Sequence, residues 1–223
     1  MKNEEPSMSR KSEEYLEAIY RLEEKTGSAR TMELARNLKV APGSVTNTIE
    51  SLEKRGLIIH KPYKGVKLTE EGRKLALEVL RKHRLAERLL MDVLHLDWSQ
   101  VHDTACKLEH AITKEIIKPL EKALKHPKTC PHGNPIPTAC GGIIEEKSEP
   151  LLNLNPKEKA TVVKICEETS PILQHLATLG LKPGASIEVE RKIPFSGSIT
   201  IKVGEDSHTL EHKFASIINV KRG

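Results

Sequence analysis

Residues 31–68 read TMELARNLKVAPGSVTNTIESLEKRGLIIHKPYKGVKL, and the spacing of the apolar residues changes character along this stretch. Met32, Leu34, Ala35 and Leu38 recur at helical spacing and predict a short helix from Thr31 to Leu38. A break follows at Lys39–Pro42, and Pro42 suits the first turn of a new helix because its missing N–H is not needed there. Val45, Ile49 and Leu52 carry that helix to about Arg55, and Gly56 ends it. Leu57–His60 and Val66–Leu68 read as short strands joined through Pro62–Gly65. Upstream, Tyr15, Leu16, Ile19, Tyr20 and Leu22 form the apolar stripe of a helix over Ser12–Lys25, with Ser12 as its N-cap. Helix, short helix, turn, helix, hairpin is the order of a winged helix-turn-helix. From Arg36 to Lys67 there are seven basic residues against two acidic ones, a local balance of +5 that suits a polyanion such as DNA.

Downstream, Leu75, Leu80, Leu85 and Leu89 predict a long helix from Thr69 to about Leu94, and a second helix runs from Ser99 past Glu115 to a kink or stop at Pro119. His126 to Pro150 holds five prolines and three glycines and reads as a linker. The period then becomes that of strands. Ala160–Ile165, Ser186–Lys192, Ser198–Val203, His208–Glu211 and Ala215–Val220, with one helix over Pro171–Leu179, predict a small barrel.

The totals bound the function. The chain has 223 residues, a net charge of +5, 37% hydrophobic and only 3% aromatic residues, so its cores must be aliphatic. No stretch approaches the ~20 apolar residues of a membrane span. Met1–Arg10 is polar and does not read as a signal peptide, which leads us to expect a cytoplasmic protein with reduced cysteines. An enzyme is not expected. A two-metal hydrolase is the rival class, but the sequence holds no nucleophile elbow or phosphate-cradling glycine loop.

The chemistry concentrates on the later helices. His102, Cys106, Glu109 and His110 are spaced four, three and one apart, so they share a helix stripe where a bland amphipathic helix would place Leu or Ile. Burying such groups is costly unless something satisfies them, and a cation does. His83 and Glu87 lie four apart on the preceding helix, and Glu14 and Glu17 three apart on the first. Cys130, His132 and Cys140 form a looser cluster in the linker for which no fourth zinc ligand is evident, so a reduced linker is the simpler expectation. His175 and Cys166 read as packing or surface residues.

The segments RKHRLAERLL (81–90), VHDTACKLEH (101–110) and GNPIP (133–137) resemble the diphtheria toxin repressor family, in matching order over nearly the whole chain. The resemblance implies a mainly α protein with a small β domain. Its parts are a winged helix-turn-helix over residues 1–74, a helical metal-binding and dimerisation domain over 75–126, a linker over 127–153 and an SH3-like, FeoA-like barrel over 154–223. It implies two metal sites per subunit. Cys106, Glu109 and His110 match the regulatory site, where the family usually adds a methionine and this chain has Glu14. His83, Glu87 and His102 match the ancillary site, to which the barrel lends a Glu and a Gln; Glu167 fits the first, and Ser170 stands in place of the second. Glu17 resembles an acid of the manganese-sensing branch.

A carboxylate at position 14 is harder than a thioether and favours Mn2+ or Fe2+, whereas Cys106 and the barrel point to the iron branch, and the balance leans to iron. Zn2+, Co2+ and Ni2+ are expected as substitutes in vitro. The expected function is a metal-activated repressor of metal-homeostasis genes. The alternatives are a manganese-specific sensor of the same family and a metal-independent winged-helix regulator. A homodimer is expected to read a pseudo-palindromic duplex operator. The resemblance places Ala41, Gly43, Thr46 and Asn47 nearest the bases, Ser44 is a short polar neighbour, and Arg30, Arg36, Lys64 and Lys67 are candidate phosphate contacts.

Overall fold

The computed structural model describes residues 8–193, 195 and 197–223. The chain forms two compact units: one of the chain up to Lys82 together with Pro137–Gly142, the other of His83–Ile136 with Ile143–Gly223.

The first unit is a winged helix-turn-helix. Helix α1 (Arg10–Thr26) is capped by Ser9, whose hydroxyl accepts from the Ser12 amide, and closes on Gly27 at φ 80°. The expected cap at Ser12 therefore lies three residues too late. Helix α2 (Thr31–Leu38) ends at Lys39 in the left-handed region, and α3 (Pro42–Lys54) starts on its proline as expected. Strands β1 (Ile58–Lys61) and β2 (Gly65–Leu68) pair antiparallel, Ile58 opposite Leu68 and Lys61 opposite Gly65. Leu16, Ile19, Leu34, Val45, Ile49, Leu52 and Val66 fill the core between them. At the start of α4 (Glu70–Arg88) the Thr69 hydroxyl accepts from the Gly72 amide and donates to the Gly56 carbonyl, tying the helix to the end of α3. Gly72 is required: a Cβ there would lie 1.9 Å from the Leu57 carbonyl oxygen.

Helix α4 passes into a π-helical turn, Leu89–Val93. In the second unit, α5 (Val101–Leu108) runs into a 3-10 turn, Glu109–Ala111, and α6 (Lys114–Ala123) begins after Thr113. The single helix expected from Ser99 past Glu115 is thus broken near Ile112, and Pro119, expected to end it, sits inside α6. Leu85, Leu90, Val101, Ala105, Ile112 and Leu120 pack together beneath these helices.

The β domain is a six-stranded antiparallel sheet. Its strands are β3 (Glu149–Pro150), β4 (Lys159–Ile165), β5 (Ser186–Ile193), β6 (Ser198–Val203), β7 (Asp206–Leu210) and β8 (Ile218–Arg222), in spatial order β3-β8-β4-β5-β6-β7. Helix α7 (Ser170–Thr178) covers a core of Leu151, Leu154, Ile165, Leu173, Val189, Ile199, Ile201 and Val220, aliphatic as the composition requires. Trp98 joins that core and donates its indole N–H to the Pro131 carbonyl at 2.9 Å. The strand expected over Ala215–Val220 is instead a helical turn α8 (His212–Ala215) followed by β8, because Phe214, Ala215 and Ser216 donate back to Glu211 and His212 carbonyls.

The expected linker is partly core. Cys130, His132, Asn134 and Ile136 are all buried. The His132 carbonyl accepts from the Ile165 amide at 2.9 Å, so this proline-rich run lies against β4 at the point where its pairing with β8 slips between Val162 and Lys164.

Candidate metal centre

Helix α4 places His83 and Glu87 one turn apart on one face, and α5 does the same for His102 and Cys106. The two faces meet. His83 Nε2 lies 3.0 Å from Glu87 Oε1 and 3.1 Å from His102 Nδ1, and His102 Nδ1 lies 3.0 Å from Glu87 Oε1. The other nitrogen of His83 is 2.6 Å from Glu109 Oε2. This carboxylate–histidine pair fixes the ring as metal-binding histidines are usually fixed. Cys106 sits at the exposed edge, its Sγ 4.0 Å from His83 Nδ1 and 3.9 Å from His102 Nε2. His110 Nε2 is 3.3 Å from the second oxygen of Glu109.

The β domain adds a carboxylate, but not the expected one. Glu168, fully buried, turns to this cluster with Oε2 3.8 Å from His102 Nδ1, while Glu167 is only half-buried and joins no close donor group among the described residues. The family resemblance pointed to Glu167, whereas the neighbouring Glu168 is the acid that faces the donor cluster in this non-helical stretch before α7. Ser170, standing where a Gln was expected, donates to Asp103 Oδ2 at 2.6 Å.

A second donor group was missed. Cys130 and His132 approach Glu87 and Glu168: His132 Nδ1 lies 3.4 Å from Glu87 Oε1 and 3.5 Å from Glu168 Oε1, and Cys130 Sγ lies 3.6 Å from Glu168 Oε1. Asn134 orients that carboxylate, donating to its Oε1 at 2.7 Å and to the Ile165 carbonyl at 2.8 Å. The Cys-x-His spacing was visible, but its partners come from α4 and the approach to α7, which no local pattern connects. Cys140 does not take part; it is exposed and lies in the other unit.

The electrostatics show how the protein holds these groups without a metal. Burial pushes the His83 pKa down, but the Glu87 charge and the bonds to Cys106 and Glu109 carry it well above its ordinary value. His102 reaches about 9 against the burial penalty, through Cys106 and Glu87. His132 reaches about 12, through Cys130, Glu168 and Glu87. Burial raises Glu87, yet His83, His102 and His132 bring it well below the usual carboxylate range. Burial and the charges of Glu87 and Glu168 push the Cys130 thiol to about 11, whereas the bonds to His102 and His83 outweigh burial and lower the Cys106 thiol. Protons thus occupy positions that a cation can take.

The donors fit a divalent ion. The buried atoms without a hydrogen bond include Glu87 Oε2 and His132 Nδ1, the latter on a ring whose Nε2 contacts the Trp98 carbonyl at 3.1 Å. Unsatisfied buried polar atoms are costly, and a cation satisfies both. The mixture of carboxylate, imidazole and thiol suits Fe2+, Mn2+, Zn2+ and Co2+. Because these histidines must lose protons to ligate, Mn2+ affinity is expected to rise by about tenfold per pH unit for each proton released. Chelator-competition titrations at pH 6.5 and 8.5 check this, and a flat response would rule out histidine ligands.

On the first unit, Ala41, Gly43, Thr46 and Asn47 are exposed at the start of α3, Ser44 is half-buried, and Arg30, Arg36, Lys64 and Lys67 are exposed. Tyr63 at the hairpin tip is fully exposed at φ 62°, a feature the sequence reading did not single out. Glu14 and Glu17 lie on α1, in ion pairs with Arg10 and Arg21, each at 2.9 Å. No helix among the described residues is long and apolar enough to cross a membrane.

Three family models match the chain: "Iron dependent repressor, N-terminal DNA binding domain" over residues 7–66, "Iron dependent repressor, metal binding and dimerisation domain" over 69–138, and "FeoA domain" over 149–222. The iron-dependent repressor IdeR of Mycobacterium tuberculosis is 33% identical over 233 residues, covering 95% of this chain and 96% of that protein. The diphtheria toxin repressor of Corynebacterium glutamicum is 32% identical over 221 residues, covering 95% and 96%. The crystal structure of T. acidophilum IdeR matches with a TM-score of 0.82 at 30% identity, over 98% of this chain and 100% of that one. A manganese-dependent transcriptional repressor in complex with manganese matches with a TM-score of 0.86 at 28% identity, over 95% and 100%. Relatives above 30% identity over nearly their full length, together with the two repressor-domain models and the FeoA model matched along this chain, establish that the chain belongs to the diphtheria toxin repressor family of metal-dependent transcriptional regulators.

Proposed function

We propose that this chain is a metal-activated repressor that binds duplex DNA in response to Fe2+, or to Mn2+, and controls metal-homeostasis genes. One observation carries the reading. The chain that presents a basic winged helix also buries His83, Glu87, Glu109, His132 and Glu168 in one interior cluster. Burying acids and histidines in such number is costly for a structural core, and a shared cation offsets that cost.

Cys106, Glu109 and His110 are the proposed regulatory donors, with Glu14 and Glu17 as the acids offered by the DNA-binding unit. His83, Glu87, His102 and Glu168 are the proposed ancillary donors. When bound, the ion supplies the positive charge that gathers these anionic and imidazole donors. The protein's part is to make ligation and DNA binding favour the same arrangement. A coupling of about 1–3 kcal/mol between them gives roughly 5–150-fold control. The active species is a cytoplasmic homodimer, and its operator a pseudo-palindrome with half-sites about one helical turn apart or a multiple of it. It performs no catalysis.

On α3, Gly43 supports a recognition role. A Cβ there would meet nothing within 4 Å, so the fold does not require glycine. A helix normally gains about 0.5–1 kcal/mol from Ala over Gly. Gly43→Ala is therefore expected to leave thermal stability equal or higher while weakening operator affinity by about 1 kcal/mol or more, the low end of what a base contact contributes. Reduced stability with unchanged affinity would remove Gly43 from the interface. Lys64→Ala is expected to weaken binding alike for all sequences and to lower the slope of log K against log salt by about 1.

A manganese-specific reading has its own support in Glu14, a hard donor where a thioether is usual in the family. Anaerobic titration of operator binding with Fe2+ and Mn2+, read by fluorescence anisotropy, decides between the metals. Glu14→Met is expected to shift preference away from Mn2+. Affinity that ignores both metals and chelator would favour the metal-independent alternative.

A further inference from the structure

Two buried donor groups in the second unit share the same two acids. One is His83, Glu87, His102 and Glu168; the other is Glu87, Cys130, His132 and Glu168, and within each group one donor atom per residue lies within 4.8 Å of all the others. Glu168 divides its oxygens between them: Oε2 faces His102 at 3.8 Å, and Oε1 faces His132 at 3.5 Å. Glu87 brings Oε1 to His83, His102 and His132 at 3.0–3.4 Å and keeps Oε2 buried without a hydrogen bond.

From this arrangement we infer that Glu87 and Glu168 bridge two divalent ions, one held on the His83–His102 side and one on the Cys130–His132 side, in a single dinuclear centre. The inference rests on the reading of these side chains as metal ligands and adds an ion to the regulatory and ancillary pair proposed above.

Two features favour two ions over a choice between two positions. Glu168 points a different oxygen at each donor group, the disposition of a bridging carboxylate, and Glu87 Oε1 reaches the imidazoles of both groups. The donors that are not shared come in pairs, two imidazoles on one side and an imidazole with a thiol on the other, so neither half is a mere rim of the other. Ions in such two-metal sites lie about 3.5–4 Å apart, a spacing that opposite oxygens of one carboxylate can span. Asn134 is then a positioning residue: its bond to Glu168 Oε1 holds the bridge in place.

The test is Mn2+ electron paramagnetic resonance on the full chain, with bound metal counted after gel filtration. An exchange-coupled Mn2+ pair shows hyperfine splitting about half that of an isolated ion. The wild type at saturation should show the coupled pattern. Cys130→Ala/His132→Ala should lose one ion and revert to the isolated pattern, and so should His102→Ala from the other side. Cys140→Ala, outside both groups, should keep the coupling and the metal count. Isolated-ion spectra in the saturated wild type, or coupling that survives Cys130→Ala/His132→Ala, would overturn the bridge. A metal count unchanged in every variant would instead refute the underlying ligand reading.

Discussion

Glu109→Gln is expected to lower operator affinity in the presence of Fe2+ or Mn2+ by roughly 5–150-fold, the range of a coupling of about 1–3 kcal/mol, while leaving the weak metal-free affinity where it was. Glu109 is 2% exposed and holds His83 Nδ1 at 2.6 Å, with its other oxygen 3.3 Å from His110. Gln has the same size and still accepts a hydrogen bond from His83, so packing is retained. What it lacks is the negative charge that attracts an ion and keeps the His83 ring polarised towards Glu87. The loss should therefore appear in the metal-dependent limb of a titration, and the metal-free protein should also melt lower, because Glu109 no longer offsets the charge on His83. Anisotropy titrations with and without chelator, beside circular dichroism melts, separate the two. Equal metal activation in wild type and Glu109→Gln would remove this residue from the switch.

Gly133→Ala is expected to be the most damaging single-methyl change in the second unit. Gly133 has φ 86°, and a Cβ there would lie 2.0 Å from the Val163 carbonyl oxygen and 2.8 Å from Lys164 Cα, both backbone atoms of β4. The left-handed backbone alone costs a non-glycine residue about 1–2 kcal/mol, and forcing the loop from the strand adds a further ~1–3 kcal/mol. At about 2–4 °C per kcal/mol for a chain of this size, the melting temperature should fall by roughly 4–20 °C. The loop carries Cys130, His132 and Asn134, so its displacement should also remove metal from that side of the cluster. Calorimetry and a metal count check both. A variant that melts like wild type and retains its full metal complement would show that the loop has room to shift.

The positions where sequence reading succeeded and failed follow from the range of the interactions involved. The winged helix was legible because each of its elements announces itself locally: the stripe of Val45, Ile49 and Leu52, the proline that opens α3, Gly56 after it, and a four-residue strand on either side of Pro62–Lys64. His83 with Glu87 and His102 with Cys106 were legible because a helix sets residues four apart on one face. The break near Ile112 was hidden, since the apolar period continues through it and only backbone hydrogen bonding ends the helix there. That Glu168 and not Glu167 faces the cluster was hidden for a related reason: no sequence feature says which of two adjacent acids turns inward.

By itself, then, the amino-acid order determined the kind of protein this is: a basic winged helix, a pair of helices each setting His with Glu or Cys on one face, and an aliphatic β domain, all set by periodicities of a few residues. The tertiary structure alone decided that the proline-rich run from Cys130 to Ile136 is interior, that Cys130 and His132 join Glu87, and that Glu168 completes the set. Those choices depend on contacts between groups far apart in the chain, where the low dielectric of the interior, not local propensity, decides which acid, thiol and imidazole must share one place.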